Sequence, residues 1–339
     1  MAEGRTLGMG ELETVEHRPS VMAPFSRGIL AAQAARGDLV VLTADLGKYT
    51  DVYPFRDAHP GRFHNVGMAE QALVTVAAGL ARTGHVPYCT TYGCFATRRA
   101  YDFLAIACAH GGANVKMFAA LPGITTGYGG THQAIEDLGL MRSIPDMTVI
   151  DPCDATEMEQ VAEAAADIPG TVYCRLLRGA VPQVLDPRSY RFVPGRTMPL
   201  REGSDVAIVS TGFMTERCLD ACRALETDGV EAGVLHVPTI KPFDAETVVD
   251  FVAAADRLVV VENHVSIGGL ASLVFDAMME RGLCRPVLKI GIPDRFIECG
   301  SVPYLQDKYG LSTARLTGRL RSWLASPGGP APIQPGGRA

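Results

Sequence analysis

Short, almost continuous apolar runs recur along the chain, separated by longer segments with helical periodicity. The runs at 39–44, 86–91, 115–119, 147–150 and 171–176 read as strands, several of them continuous apolar runs buried on both faces. Between them the periodicity predicts helices over 25–35, 69–83, 95–109, 133–143 and 155–166. A loop with aromatics leads from the first strand to Phe63 and the helix at 69. Strands alternating with helices imply a parallel sheet covered on both sides.

From Pro182 to Gly203 the chain is rich in proline and arginine without periodicity, and it is expected to be a linker. A smaller α/β unit follows, with strands at 205–211, 232–237, 257–262 and 287–292. Its helices fall at 215–228, 245–254 and 268–280, with shorter ones to about Leu324. Residues 1–20 are polar and aperiodic, the pattern of a flexible tail or an arm on a partner subunit. Residues 326–339 are Pro/Gly-rich and are expected to be disordered. The expected domains are therefore 21–181 and 204–325.

Hydrophobic residues make up 47% and charged residues 20%, which excludes a disordered or fibrous chain. A net charge of −6 without a basic run argues against nucleic acid as a partner. No apolar run reaches the ~20 residues of a membrane span. The nine cysteines are scattered, odd in number and without a CxxC pair, so they read as reduced thiols of a cytoplasmic protein rather than a disulfide framework or zinc site.

The chemistry centres on Asn65-Val66-Gly67-Met68-Ala69-Glu70-Gln71, where a turn enters an almost uncharged helix. Glu70 lies in its first turn, where a carboxylate is electrostatically favoured. It is either a capping residue or a buried carboxylate held to bind a cofactor. A glycine-rich loop, Gly123-Ile124-Thr125-Thr126-Gly127-Tyr128-Gly129-Gly130-Thr131-His132-Gln133, follows the strand at 115–119. Thr131 could simply cap the next helix, and a lone histidine is more often structural than catalytic. Asp45, Glu70 and His132 nevertheless all fall at the C-terminal edge of the parallel sheet, where open α/β folds bind ligands.

Five segments in order resemble the C-terminal half of transketolase, over roughly residues 22–320. They are Ala44-Asp45-Leu46, Gly67-Met68-Ala69-Glu70, Phe95-Ala96-Thr97-Arg98-Arg99-Ala100-Tyr101-Asp102, Thr131-His132-Gln133 and Met141-Arg142-Ser143-Ile144-Pro145. The resemblance implies two parallel-sheet domains, a thiamine-diphosphate-binding pyrimidine domain followed by a transketolase C-terminal-like domain. It implies that Glu70 hydrogen-bonds the cofactor's aminopyrimidine ring, with Tyr92 and Phe95 flanking that ring and Arg98 lining the pocket. Asp45 and Leu46 would contact the cofactor across the boundary between two subunits. His132 would lie near the reacting carbons, and Arg178 would grip the substrate phosphate.

The departures matter equally. The family's magnesium and diphosphate site needs Gly-Asp-Gly, which occurs nowhere in this sequence. The resemblance therefore implies one subunit of a split enzyme, an α2β2 heterotetramer whose N-terminal partner holds Mg2+ and the diphosphate. In the substrate loop the segment Gly127-Tyr128-Gly129-Gly130 lacks the family's carboxylate. Leu121 stands near a phosphate-binding histidine of the family, and Met22-Ala23-Pro24-Phe25 lacks the usual arginine. The implied reaction moves a two-carbon ketol unit between sugar phosphates, with a branched donor such as apulose 4-phosphate as a candidate. The rivals are a deoxyxylulose phosphate synthase-like chain, a 2-oxoacid dehydrogenase beta-type subunit and a non-catalytic scaffold paralogue.

Overall fold

The computed structural model describes residues 18–326, so the two expected tails lie almost wholly outside the described residues. The larger sheet has seven strands in the order Thr239–Lys241, Thr148–Ile150, Val172–Leu176, Lys116–Ala120, Val86–Tyr92, Leu39–Thr43 and Phe63–Asn65. All pairs are parallel except at the Thr239–Lys241 edge. The smaller sheet has five strands in the order Val287–Ile292, Arg257–Val265, Val206–Ser210, Ala232–His236 and Met198–Arg201. There only Met198–Arg201 runs antiparallel. The central strands are buried along their whole length, as their apolar runs require.

The short strands Ser20–Met22, Met198–Arg201 and Thr239–Lys241 are not among the expected elements. Ser20–Met22 is a short strand paired with Ala180–Pro182, and Arg18 ion-pairs with Glu216. The segment expected to be a bare linker contains the edge strand Met198–Arg201. Thr239–Lys241, on the far side of the smaller sheet, joins the larger one, so each sheet borrows an edge strand from outside its own βα series. These edge strands are three or four residues long, too short for a readable period.

Both helices around the substrate loop are shorter than expected. The segment at 95–109 is a helix, Gly93–Arg98, then a break and a single turn, Tyr101–Phe103. It continues as a π-helix, Leu104–His110, with Gly111 N donating to Ile106 O. The helix expected at 133–143 is confined to Asp137–Arg142. Its first residues are committed elsewhere: Gly123 N donates to Ala134 O, and Val265 N donates to Ile135 O. Tertiary pairing of these backbone groups overrides local propensity.

Candidate active site

Five loops leave the C-terminal ends of adjacent parallel strands and carry the expected site residues. The strand ending at Thr43 delivers Asp45 and Leu46, and the one ending at Asn65 leads to Glu70. Val86–Tyr92 delivers Tyr92 and Phe95; Lys116–Ala120 leads to His132; Val172–Leu176 leads to Arg178. The strand register places Tyr92, Ala120 and Leu176 side by side, so their loops begin at one level.

Glu70 opens the helix Glu70–Arg82, behind Ala69 at the N-cap, which makes no side-chain cap. Its carboxylate is only 3% exposed. The hydrogen bonds it accepts come from Arg99 Nη1, at 3.2 and 3.3 Å to its two oxygens, not from first-turn amides. Glu70 is thus a buried carboxylate paired with a side chain at the end of another helix. The Arg99 guanidinium also stacks over the Phe95 ring, 4.1 Å from its centroid.

Aromatic rings wall one side of the cleft. The Phe95 and Tyr92 centroids are 5.7 Å apart. His132 lies 5.4 Å from Phe95 and 6.0 Å from Tyr92. Tyr128 closes on the same imidazole at 5.3 Å. His132 Nδ1 is 2.8 Å from Thr131 Oγ1. Burial, together with the positive charge of Arg99, holds the imidazole below its ordinary value and favours the neutral ring.

Arg178 is set by the turn that follows its strand. Ala23 N donates to Gly179 O at 2.7 Å, and Gly179 N donates to Asp51 Oδ2 at 2.6 Å. Burial pushes Asp51 above its ordinary value, opposed by the Gly179 bond and by Arg178. Burial likewise lowers Arg178, against the influence of Tyr92, Asp51 and Tyr128. The guanidinium thus sits among groups at the cleft rather than in free solvent.

Arg98 is bonded to the loop that carries His132. It clamps the substrate loop, donating to Glu136 at 2.5 and 2.9 Å, to Gly130 O at 2.8 Å and to Gln133 O at 3.2 Å. Asp45 is exposed in the left-handed region, φ 58°, beside half-buried Leu46.

The second domain holds the glycine loop in place. Asn263 Nδ2 donates to Pro122 O, and Ile124 N donates to Asn263 Oδ1 at 2.9 Å. Gln306 Nε2 donates to Ile124 O at 2.7 Å. A Cβ on Gly127 would lie 2.1 Å from Gly300 O, and one on Gly129 would lie 2.8 Å from Cys299 Sγ. Glycine is required there because backbone from 296–300 packs against the loop, so the space left by the missing carboxylate is filled. Below the loop, Arg175 ties Asp137 and Asp151 together at 2.5 and 3.2 Å. Burial alone would push Asp137 up, but the charge and hydrogen bonds of Arg175 outweigh it and hold the carboxyl below its ordinary value.

Sequence reasoning assigned no role to Arg99, Asp51, Tyr128 or Asn263. Arg99 follows Phe95 by four, a spacing that brings side chains together on a helix, and this could have flagged it. Elsewhere, Cys153, Glu157 and His236 bring ligand atoms within 4.8 Å of one another. Glu157 already accepts from Cys153 N at 2.7 Å, from Tyr190 and from His236 Nε2 at 2.8 Å. Thr215 Oγ1 is 2.8 Å from His236 Nδ1. Glu157 and His236 are thus committed to a polar link between a helix of the first domain and a strand of the second. Among the described residues no helix is long and apolar enough to cross a membrane.

The fold and the ring of residues at one sheet edge define a thiamine-type pyrimidine domain followed by a second α/β domain. The chain matches "Transketolase, pyrimidine binding domain" over residues 22–183 and "Transketolase, C-terminal domain" over 195–316. It belongs to the transketolase family. It is 51% identical over 311 residues to a putative uncharacterized transketolase family protein, y4mN, of Sinorhizobium fredii (strain NBRC 101917 / NGR234), covering 91% of this chain and 90% of that one. It is 38% identical over 291 residues to the 6-deoxy-6-sulfo-D-fructose transketolase subunit SqwH of Clostridium sp. (strain MSTE9), covering 85% and 89%. It is 31% identical over 288 residues to one of the apulose-4-phosphate transketolase subunits of Phocaeicola vulgatus (strain ATCC 8482), covering 85% and 92%. Among solved structures, "Split gene transketolase, inactive beta4 tetramer" superposes with a TM-score of 0.81 at 38% identity, covering 90% of this chain and 99% of that one.

Proposed function

We propose that this chain is the pyrimidine-binding subunit of a two-subunit, thiamine-diphosphate-dependent transketolase. The carrying observation is the convergence of Glu70, Phe95, His132 and Arg178 on one sheet edge, in a sequence without Gly-Asp-Gly. The residues fit one end of the cofactor. A buried carboxylate beside an aromatic face suits an aminopyrimidine, which stacks and donates N–H. The diphosphate and Mg2+ would be held by the N-terminal partner subunit.

When bound, thiamine diphosphate supplies a nucleophilic carbon that protein side chains lack. Glu70 holds the aminopyrimidine edge and shares a proton with its ring nitrogen. Phe95, with Tyr92 behind it, fixes the plane of the ring. Asp45 and Leu46 border the cofactor where the two subunits meet. Neutral His132 exchanges protons with oxygens on the reacting carbons. Arg178 binds the substrate phosphate, and Arg98 holds the loop that carries His132. The products of the ketol transfer are a shortened aldose or ketone phosphate and a lengthened ketose phosphate.

The names of two relatives support a split enzyme and a donor outside the common linear ketose phosphates. Apulose 4-phosphate is our candidate donor, with glyceraldehyde 3-phosphate as acceptor, and a sulfonated ketose is the competitor to run beside it. The assembly is an α2β2 heterotetramer in the cytoplasm. The test is co-expression with a partner of roughly 280 residues that carries Gly-Asp-Gly, that size following from ordinary domain lengths. Turnover of ketose phosphates should need both chains, and light scattering should give two copies of each. Robust turnover by this chain alone on added cofactor and Mg2+ would overturn the split-subunit reading.

A further inference from the structure

Glu70 and Arg99 form an asymmetric pair. The carboxylate is 3% exposed and fixed at a helix start, whereas the arginine side chain is 51% exposed. One nitrogen, Nη1, serves both carboxylate oxygens at 3.2 and 3.3 Å. That is a shared single donor, not the two parallel bonds of the strongest arginine–carboxylate pairs. The carbon of the same guanidinium lies over Phe95, 4.1 Å from the ring centroid. A planar, cationic N–C–N group thus lies over Phe95 and donates N–H to Glu70.

Those are the contacts that an aminopyrimidine would make on the reading proposed above, on which this inference rests. Its ring nitrogen would share a proton with the Glu70 carboxylate while its ring lies on Phe95, and Arg99 now makes both of those contacts. Two such groups cannot share one ring face and one carboxylate. Leaving the carboxylate buried without either would be costly, because an unpaired buried charge loses its solvation with no return.

We propose that Arg99 is a resident stand-in for the cofactor's aminopyrimidine, pairing Glu70 while the site is empty and giving way when the ring enters. Arg99 therefore keeps the cofactor-free chain stable and weakens cofactor binding. It is a positioning residue, acting through Glu70. Its departure removes a positive charge beside His132, which burial and Arg99 together hold low.

The experiment compares wild type, Arg99→Met, Arg99→Lys and Glu70→Gln/Arg99→Met. Thiamine diphosphate affinity is measured by titration calorimetry on the reconstituted two-subunit complex with Mg2+, and the melting temperature is measured on the cofactor-free chain. Arg99→Met should bind the cofactor roughly three- to tenfold tighter, the scale of a half-exposed ion pair. Its cofactor-free form should melt below wild type, and adding Glu70→Gln should recover most of that loss. Arg99→Lys, charged but unable to lie flat on Phe95, should fall between. Unchanged or weaker affinity in Arg99→Met, with wild type binding normally, overturns the inference alone. Absence of thiamine diphosphate binding by the wild-type complex sinks the cofactor reading and this inference with it.

Discussion

Asn65 holds Asp45 by both its backbone amide and its side-chain carboxylate. Asn65 Oδ1 accepts the Asp45 amide at 3.0 Å, and Asn65 Nδ2 donates to Asp45 Oδ1 at 2.9 Å. The same Oδ1 also accepts Gly67 N at 3.0 Å. One side chain thereby joins the loop after Leu39–Thr43 to the turn that enters the Glu70 helix, and it maintains Asp45 in the left-handed region.

Asn65→Ala cuts all three bonds at an exposed position, so little stability should be lost. The proposed contact of Asp45 with the cofactor and the placing of Glu70 should loosen together. We expect thiamine diphosphate to bind the reconstituted complex about tenfold more weakly, with the melting temperature of the chain nearly unchanged. An unaltered cofactor affinity would show that the Asp45 loop lies away from the cofactor.

Arg98 and Glu136 make a second testable pair. The guanidinium binds the Glu136 carboxylate and two carbonyls of the loop before it. As a loop clamp, Arg98→Ala should lower kcat/KM for the donor by about tenfold while cofactor affinity stays within twofold, consistent with losing charge-assisted bonds of roughly 1.5 kcal/mol or more. Glu136→Gln should do the same more mildly. A loss of cofactor affinity in Arg98→Ala would instead place the side chain against the cofactor.

Much of this architecture was legible because it is local. The fully buried strands announce themselves as apolar runs, and Glu70 stands out because an apolar helix begins at it. The bonds that shape the site are not local. Asn263 reaches the loop across 139 positions and Gln306 across 182, and neither side chain has a neighbour in sequence that hints at its target. The same distance effect hid the shortened helix after His132. Its first residues have good helical neighbours, but their backbone groups pair with Gly123 and Val265. The segment 296–300, which packs against the glycines of the loop, is likewise far away in the chain.

The pH dependence of turnover should report His132. Burial, the first cause that holds its pKa below the ordinary 6.5, persists when Arg99 gives way to the cofactor. The neutral ring is the competent form, so kcat/KM should be flat at neutral pH. It should fall as pH drops through a value below 6.5, where the ring takes up a proton. His132→Gln should abolish that acid limb and cost on the order of 100-fold in kcat, the scale of a positioned acid–base group. An acid limb that survives unchanged in His132→Gln would assign the titration to another group.

Donor choice turns on Tyr128. No carboxylate stands between Gly127 and Gly130, and the spaces at the glycines are filled by Gly300, Cys299 and Phe296. The group that faces His132 from this loop is the Tyr128 ring, at 5.3 Å. A neutral phenol both donates and accepts, so it can pair with a hydroxymethyl branch that replaces a hydrogen on the donor carbon beside the carbonyl, while the hydroxyl of that carbon is kept. A carboxylate, which only accepts, is matched to a hydroxyl in one position, and a misplaced one costs roughly 1.5–3 kcal/mol. Leu121, with no polar group to offer at the family's phosphate position, weakens the hold on a linear donor further. We therefore expect apulose 4-phosphate to match or exceed xylulose 5-phosphate in kcat/KM with glyceraldehyde 3-phosphate as acceptor. Tyr128→Phe should lower kcat/KM for the favoured donor by about two- to tenfold, the worth of one neutral hydrogen bond. Both comparisons use the reconstituted complex and one acceptor concentration. A preference of tenfold or more for linear ketose phosphates would reject the branched donor and leave the transketolase assignment standing.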